Sequence, residues 1–267
     1  MSITTVDDIA AGLANSQSVD FLKVLTAAKA AGSFQSAWMA AGNPGAGSAS
    51  PAYTAGTGYQ CSSATPGAMR CNNGTVQNWL ARFAASCSQP GTILLYDRLW
   101  SCSGMGFAAG TYTITTPGSL PARITDNGVD VEAWIEQFVV AGAASGTLTL
   151  NYTNANTGAA KAGVISAVVS APVAGQLQPI PVVAGDTGVR APVSVVTSAT
   201  WTSGSFGLTL MKPLARIPVI AVGLGMSLDW AATGLAKIPA DACIMAVYLA
   251  QNTTAATIIG TMDIIDK

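Results

Sequence analysis

The chain has 267 residues, of which half are hydrophobic and only 9% are charged, where ordinary soluble domains carry roughly 25% charged residues. Its 12 basic and 13 acidic residues nearly cancel, and the basic ones are scattered, which excludes the clustered positive charge that nucleic acid binding requires. Histidine is absent, which removes Ser–His and Cys–His nucleophile pairs and histidine metal ligands and makes an enzyme less expected.

The low charge also bears on what covers the protein surface. Burying a charge costs much more free energy than burying a small residue, so a surface with little charge is easily desolvated. Two interpretations follow: much of the surface is buried in an assembly, or the chain has the neutral, Thr-rich surface of an extracellular β protein. We favour the first interpretation.

The first ninety residues predict helices and a linker. Thr5 and Asp8 form a capping-box-like start of a first helix. A second helix is predicted from Ser18 to Gly32, because its apolar residues share one helical face. The Ala-, Gly-, Ser- and Pro-rich stretch 41–58 indicates an extended arm or linker. A third helix is predicted from Thr75, with the stripe Val76, Trp79, Leu80 and Phe83.

From about residue 92 the apolar period changes from helical to two, which is typical of strands. Turn residues such as Ser203-Gly204 separate the segments. A short helix or turn is predicted at Leu228–Ala236. The predicted strands are Thr92–Arg98, Thr111–Thr115, Val129–Val139, Thr147–Tyr152, Gly163–Val169, Leu177–Val183, Ser194–Trp201, Phe206–Met211, Ile217–Leu224, Cys243–Ala250 and Thr257–Ile264.

Four of the five cysteines lie between residues 61 and 102. Cys61 and Cys71 flank a loop rich in Ser, Pro, Gly and Asn and form the predicted local disulfide, and Cys87 and Cys102 are the candidates for a second. No pair has the two-residue spacing of a zinc site. Cys243 lies in an apolar strand and is expected to be a small buried hydrophobe. The alternative is five free thiols in a reducing cytoplasm.

The predicted strand Val129–Val139 carries the candidate ligand-binding residues. Its acids and tryptophan alternate onto one face, at Asp130, Glu132, Trp134 and Glu136. Acids two residues apart on a strand are roughly 7 Å apart, which suits the carboxylate pair of a glycosidase, and a tryptophan between them suits stacking on a sugar. The favoured interpretation is a polar face turned to solvent or to an interface. A calcium loop is not expected, because its cluster of acids is missing.

Three further features limit the functional classes. Asp186 lies in a Gly-Asp-Thr-Gly turn, where the expected role of the aspartate is to stabilise the turn. The longest uncharged stretch, 162–185, contains three prolines, so no membrane-spanning helix is predicted. The start of the chain carries Asp7 and Asp8 and lacks a basic segment followed by an apolar run, so no targeting segment is expected.

Six short segments carry a resemblance to a known group of proteins: Ala40–Gly45, Leu95–Trp100, Leu120–Arg123, Val131–Val139, Ala184–Arg190 and Leu210–Leu214. Together, over most of the chain, they resemble a group of virion structural proteins of tailed bacteriophages. The resemblance implies a component of the capsid exterior or of the head–tail collar, present in many copies, and it carries over no catalytic residues. The five cysteines depart from what that group leads us to expect and suggest cross-links formed after release.

The sequence therefore predicts a mainly β fold. Residues 91–267 are expected to form an antiparallel β-sandwich, like a jelly roll, and residues 1–90 an N-terminal helical arm with its linker and cysteine-containing loop. We predict a non-enzymatic virion structural protein that stabilises the particle and needs no cofactor.

The predicted partners are further copies of the chain, in a trimer, and other virion proteins such as the major capsid protein. Nucleic acid and membrane are excluded as partners, and the protein is expected in virions assembled in the host cytoplasm. The main alternative is a glycan- or receptor-binding module of a phage fibre or head appendage, with contacts at Trp134. A glycoside hydrolase using Glu132 and Glu136 is the third hypothesis.

Overall fold

A computed structural model of the chain describes residues 3–48, 56–71, 77–106, 108–115, 119–143, 146–198 and 200–267. Strands dominate the described residues and are joined by antiparallel pairing, which confirms the predicted mainly β class. The jelly-roll arrangement stays a prediction. In chain order the elements are α1 (Val6–Leu13), β1 (Gln17–Val24), β2 (Phe34–Ser36), β3 (Ala41–Asn43), β4 (Gly58–Gln60), β5 (Asn78–Cys87), β6 (Gly91–Gly106), β7 (Gly110–Thr113), β8 (Glu132–Val139), β9 (Leu148–Asn154), β10 (Ala160–Ile165), β11 (Gln176–Ile180), β12 (Val189–Thr197), β13 (Ser205–Val219), β14 (Met226–Leu228), α2 (Trp230–Thr233), β15 (Lys237–Ile238), β16 (Ile244–Ala250) and β17 (Thr257–Asp266).

The chain forms two compact units that alternate along the sequence. Unit 1 is drawn from Met1–Gly47, Ser62–Asp97 and Leu214–Lys267, and unit 2 from Ser48–Cys61 and Arg98–Pro213. The predicted division at residue 90 does not coincide with these boundaries, because the last strands of the chain belong to the same unit as the first.

Sheet 1, in unit 1, has the strand order β14-β5-β17-β1-β3, with β15 also paired to β5. The last strand of the chain, β17, lies between β1 and β5, with Phe21 opposite Gly260 and Phe83 opposite Met262. The rings of Phe21 and Phe83 stack with their centroids 6.5 Å apart. A Cβ at residue 260 would lie 2.4 Å from the ring of Phe21, so only glycine permits this close packing.

Strand β16 is the second organising element of unit 1. It is a nearly continuous buried apolar run and pairs antiparallel with β2 and with the first half of β6. One cluster of buried side chains includes Leu95 and Tyr248 from these strands and Phe83 and Ile258 from sheet 1. The core of unit 1 therefore lies between sheet 1 and the strands around β16.

Unit 2 contains sheet 2, with the order β10-β9-β12-β7, and the strand β8, which pairs antiparallel with β11 and β13. Its buried cluster draws on both groups of strands, with Leu150 and Val195 from sheet 2 and Leu208 from β13. Trp100, in the second half of β6, is among the largest fully buried side chains of the chain.

The predicted first helix is confirmed as α1. Thr5 is its N-cap, and the Thr5 hydroxyl accepts a hydrogen bond from the backbone N–H of Asp8. The Asp8 carboxylate in turn accepts from the backbone N–H groups of Thr4 and Thr5, and these bonds hold the pKa of Asp8 well below its usual range. The predicted short helix at 228–236 is also confirmed, as α2, whose N-cap is Asp229.

The predicted second and third helices are wrong. The segment after Ser18 is the strand β1, paired over its whole length with β17, and the segment around Phe83 is the strand β5. Thr75 and Val76, the predicted start of the third helix, lie outside the described residues. The predicted linker contains the strands β3, which pairs with β1, and β4, which pairs with β6.

Candidate functional site

Strand β8 places the predicted sugar-binding residues differently from the sequence expectation. Trp134 is only 3% exposed and its indole Nε1 donates to Glu132 Oε2 at 3.0 Å, while Glu136 is fully buried. Asp130 is exposed but lies outside the strand. Since β8 lies between β11 and β13 and is buried on both faces, the expected polar, outward face is wrong, and the Trp134 ring is not available to a sugar.

The buried Glu136 is part of an ion pair in unit 2. Its Oε2 lies 2.6 Å from Nη1 of Arg98, and both side chains are 1% exposed. The Thr209 hydroxyl donates to the same Oε2 at 2.6 Å. A buried carboxylate is tolerated only when it is paired and hydrogen-bonded, so these contacts give Glu136 a structural role instead of the catalytic one considered from the sequence.

The turn around Asp186 confirms the expected role of that aspartate. Its carboxylate accepts from the Tyr152 hydroxyl at 2.5 Å and from the Asn154 side-chain amide at 2.8 Å. These bonds lower the pKa of Asp186, while burial and the neighbouring carboxylate raise the pKa of Tyr152 to about 12. The carboxylate thus ties the turn to strand β9.

The structure does not support the predicted disulfides. Cys61, Cys71, Cys87, Cys102 and Cys243 are all buried thiols outside any disulfide. Burial raises the pKa of Cys102 to about 12 and also raises the pKa values of Cys71 and Cys87. Thiols held protonated in this way are poor nucleophiles, so they pack as small hydrophobes, as expected for Cys243.

A buried lysine holds the segment that contains β3 against β1. The ammonium of Lys23 donates to the backbone oxygens of Ala40, Pro44 and Gly45, at 3.2, 2.8 and 3.3 Å. The side chain is fully enclosed, and burial lowers the pKa of Lys23 to about 8. One side chain therefore donates hydrogen bonds to three backbone carbonyl groups.

We expect Lys23 to make the protein more stable as the pH rises from about 8 to 10.5. In this range the folded chain has released the proton of Lys23, whereas the unfolded chain still binds it, so the contribution of Lys23 to the free energy of unfolding rises. The buried Cys71, Cys87 and Cys102, whose pKa values are raised in the folded chain, contribute in the opposite direction over the same range. The rise from Lys23 is expected to be about 1–3 kcal/mol. Urea unfolding at several pH values should show it as a growing difference in the free energy of unfolding between the native chain and Lys23→Met, since both proteins contain the same cysteines. The control Lys29→Met, at an exposed lysine, should keep the native profile.

The best candidate for an interaction surface is one end of sheet 1. Strands β1 and β17 place Leu22 opposite Ile259, and Val24 lies two residues further along the same face. Ile259 is 50% exposed and Val24 is exposed as well, although β17 is a central strand. Side chains of opposite residues in an antiparallel pair lie on one face, so these three residues form an apolar patch.

The loop 220–225 lies at the same end of sheet 1 as this patch. It enters β14, which pairs with β5, and the backbone N–H of Gly223 donates to the Cys87 carbonyl at 2.9 Å. Cys87 pairs with Ile258, so the loop lies at the same end of the sheet as the patch. Ile220 and Val222 are 69% and 65% exposed, and Leu224 is exposed too. We call Leu22, Val24, Ile220, Val222, Leu224 and Ile259 the apolar end of sheet 1.

Polar side chains occupy the other end of the same face. Ser18 donates to Asp263 at 2.6 Å, and Asp263 also forms an ion pair with Arg82 at 2.5 Å. The Thr261 hydroxyl donates to Asp20 at 2.6 Å. The outer face of sheet 1 is therefore divided into a polar, internally hydrogen-bonded end and an apolar end whose side chains meet solvent.

The sequence interpretation missed the loop, because it assigned residues 217–224 to a strand. The strand β13 ends at Val219, and the signal for an exposed loop was the pair Gly223 and Gly225 inside an uncharged run. Alternation alone does not reveal that such a run is exposed, since an apolar segment is ordinarily expected inside.

A metal site and a membrane-spanning helix are both absent from the residues that the structure describes. No group of three or more acidic or cysteine side chains there is arranged to hold a metal ion. No helix in the same residues is long and apolar enough to cross a membrane.

No protein-family model and no curated protein matches the chain. Among solved structures, it is similar to a protein of Bacillus endospore appendages described as disulfide-linked pili, at 18% identity and a TM-score of 0.23, over 48% of this chain and 94% of that one. It is similar to the protein of T=1 particles derived from infectious bursal virus, at 7% identity and a TM-score of 0.21, over 94% and 77%. It is similar to a chain of the cyanophage Pam1 capsid, at 15% identity and a TM-score of 0.19, over 47% and 87%. We draw no functional argument from similarities of this strength.

Proposed function

We propose that this chain is a non-enzymatic structural protein of a virion, which packs in many copies through the apolar end of sheet 1. The observation that carries the proposal is the exposure of Ile220, Val222 and Leu224 on one short loop, at the same end of sheet 1 as the exposed Ile259 and Val24. Contiguous exposed apolar patches on a folded protein mark sites of interaction with other proteins or membranes.

The charge distribution supports packing against other proteins. Residues 220–228 contain no charged side chain, and only 9% of the whole chain is charged. Protein–protein interfaces are depleted in charge at their centres, because a charge buried there must be desolvated. The hydrogen-bonded polar end of the same face would then form the rim of the contact, where solvent remains.

The kind of particle is proposed from the sequence. The segments around Asp97, Arg123 and Asp186 resemble those of virion structural proteins of tailed bacteriophages, which favours the capsid exterior or the head–tail collar as the location. Other virion proteins, such as the major capsid protein, and further copies of the chain in a trimer are the proposed partners. The jelly-roll topology belongs to the same proposal and is supported by the antiparallel strand pairing of both units.

We expect Val222→Asp to abolish self-association, because a carboxylate at the centre of the apolar end would have to be desolvated in the contact. The measurement is the native mass by light scattering over a range of protein concentrations. The matched control is Val140→Asp in unit 2, which introduces the same charge at a valine that is 59% exposed. Native protein and control should form a discrete oligomer, and Val222→Asp should remain monomeric.

A native chain that stays monomeric at high concentration would contradict self-assembly. Oligomers that survive Val222→Asp but are lost in Val140→Asp would place the contact elsewhere. Circular dichroism of both variants shows whether the strands are retained, so that a loss of mass is not confused with a loss of fold.

A further inference from the structure

Unit 1 contains a cavity of about 320 Å³ between β1, the segment 43–44 and the segment 67–70. Met69 at its floor is fully buried, and the half-buried Val19 and Pro44 add apolar walls. Three exposed polar side chains also line it: Asp20, Asn43 and Arg70. This volume is at the lower end of the range of small-ligand sites, which combine an apolar lining with a few polar groups that orient the ligand.

The walls of the cavity are held in place by contacts of their own. The carbonyl of Pro44 accepts a hydrogen bond from the buried ammonium of Lys23 at 2.8 Å. The N–H of Met69 donates to the Ile244 carbonyl at 2.9 Å, which fixes the floor to strand β16. A Cβ at residue 67 would lie 2.5 Å from the Cα of Gly47, so the chain around residue 47 and the segment 67–70 touch through glycines. The cavity is therefore formed before any ligand arrives.

The charged side chains of the cavity have room for ligand contacts. The Asp20 carboxylate accepts from the Thr261 hydroxyl at 2.6 Å, and an ionised carboxylate offers about four acceptor sites. The Arg70 guanidinium donates through one nitrogen to the Ala64 carbonyl at 3.2 Å and has five N–H donors in total. Within the residues that the structure describes, no ion pair neutralises Asp20 or Arg70.

We propose that this cavity binds a saccharide that carries a carboxylate, such as a uronic acid. Arg70 pairs with the carboxylate of the sugar, since its planar guanidinium suits bidentate contact with that group. Asp20 accepts hydrogen bonds from sugar hydroxyls, as it does from Thr261, and the Asn43 amide both donates and accepts. The C–H face of the ring packs on Val19, Pro44 and Met69.

The charged residues of the site lie outside the apolar end of sheet 1: Arg70 belongs to the segment 67–70, and Asp20 lies in the polar end at the rim of the proposed contact, where solvent remains. The site also differs from the sugar contact predicted at Trp134, which is buried in unit 2. A binding site of this kind would let the chain engage an acidic glycan while it packs in a particle.

The experiment is calorimetric titration of the full chain with D-glucuronic acid and D-glucose, which differ by the carboxylate. We expect glucuronic acid to bind at least about tenfold more tightly, since a hydrogen bond to a charged group contributes about 1.5–3 kcal/mol. Arg70→Gln should reduce the affinity for glucuronic acid to that for glucose. Asp20→Asn should weaken both sugars. Arg216→Gln, at an exposed arginine outside the cavity, is the matched control and should change neither.

No heat of binding with glucuronic acid, or equal affinity for the two sugars, would overturn the proposal. Binding of glucuronic acid that survives Arg70→Gln and Asp20→Asn together would place it elsewhere and overturn it as well. L-Alanine is the third probe. If this zwitterion bound and glucuronic acid did not, Asp20 and Arg70 would select an amino acid, and the saccharide proposal would be overturned. A hyaluronan tetrasaccharide that binds more tightly than the monosaccharide would identify a polysaccharide as the source of the sugar.

Discussion

Arg98→Met is expected to lower the free energy of unfolding by about 3–5 kcal/mol, because it leaves the carboxylate of Glu136 buried without its cation. The two side chains are 2.6 Å apart and both are 1% exposed, so water does not replace the lost partner. The Thr209 hydroxyl still donates to Glu136, but one neutral donor does not compensate a buried charge.

The measurement is urea unfolding followed by tryptophan fluorescence. The matched control is Arg82→Met, which removes the same side chain from the ion pair with Asp263, where Arg82 is 50% exposed. Exposed ion pairs contribute roughly 0–1 kcal/mol, so the control should unfold close to the native midpoint. Equal shifts for the two variants would show that burial does not determine the contribution of the Arg98 pair.

A second variant separates the loss of the ion pair from the cost of an unpaired charge. Arg98→Met combined with Glu136→Leu removes both charges and keeps apolar side chains in their places. Replacing a buried ion pair by apolar residues is often neutral or stabilising, so we expect the double variant to recover most of the stability lost in Arg98→Met. A double variant as unstable as the single one would mean that packing, and not charge, was lost.

The strands with an uninterrupted period of two were predictable from the sequence. The predicted segments 147–152 and 257–264 correspond to β9 and β17. Strand β16 was predictable as a short continuous apolar run, at 243–250. Helix α1 was predictable for a different reason, since Thr5 and Asp8 make their capping bonds within four residues. Local chemistry and the apolar pattern of a strand are thus the two signals that a single sequence carries.

The two wrong helices have identifiable causes. In β1 the inward positions include Phe21 and Lys23, and a lysine at a buried position hides the alternation. In β5 a register shift between Asp263 and Ile264 leaves Ala81 as an extra residue, so that the buried Leu80 and Phe83 are three apart. A spacing of three is typical of a helix, and a bulge produces it in a strand.

The candidate surfaces were less predictable because they depend on long-range pairing. The acids and tryptophan of β8 alternate as an exposed strand would, but Glu136 is balanced by Arg98, which lies on another strand. The apolar end of sheet 1 combines β1, β17 and the loop 220–225, which are far apart in sequence. No local sequence pattern predicts either arrangement, because each forms only when the strands pair.

Trp100→Ala is the other substitution with a large expected effect, about 3–5 kcal/mol of unfolding free energy. Trp100 is fully buried in the second half of β6. Strand β4 passes directly over its ring, because a Cβ at residue 58 would lie only 2.0 Å from the ring atom Cζ2. The residues packed around such a ring cannot collapse into the space that alanine leaves, so the variant loses the burial of the indole and retains a cavity.

The control is Trp230→Ala, at the first residue of α2, whose side chain is 40% exposed. It removes the same indole where solvent already covers much of it, and we expect a loss below about 1 kcal/mol. Urea midpoints of the two variants, with near-ultraviolet circular dichroism to follow the remaining tryptophans, give the comparison. If Trp100→Ala unfolded no earlier than Trp230→Ala, the packing of β4 on the Trp100 ring would not stabilise unit 2. If its free energy of unfolding falls by several kcal/mol more than that of Trp230→Ala, the packing of β4 on the Trp100 ring stabilises unit 2.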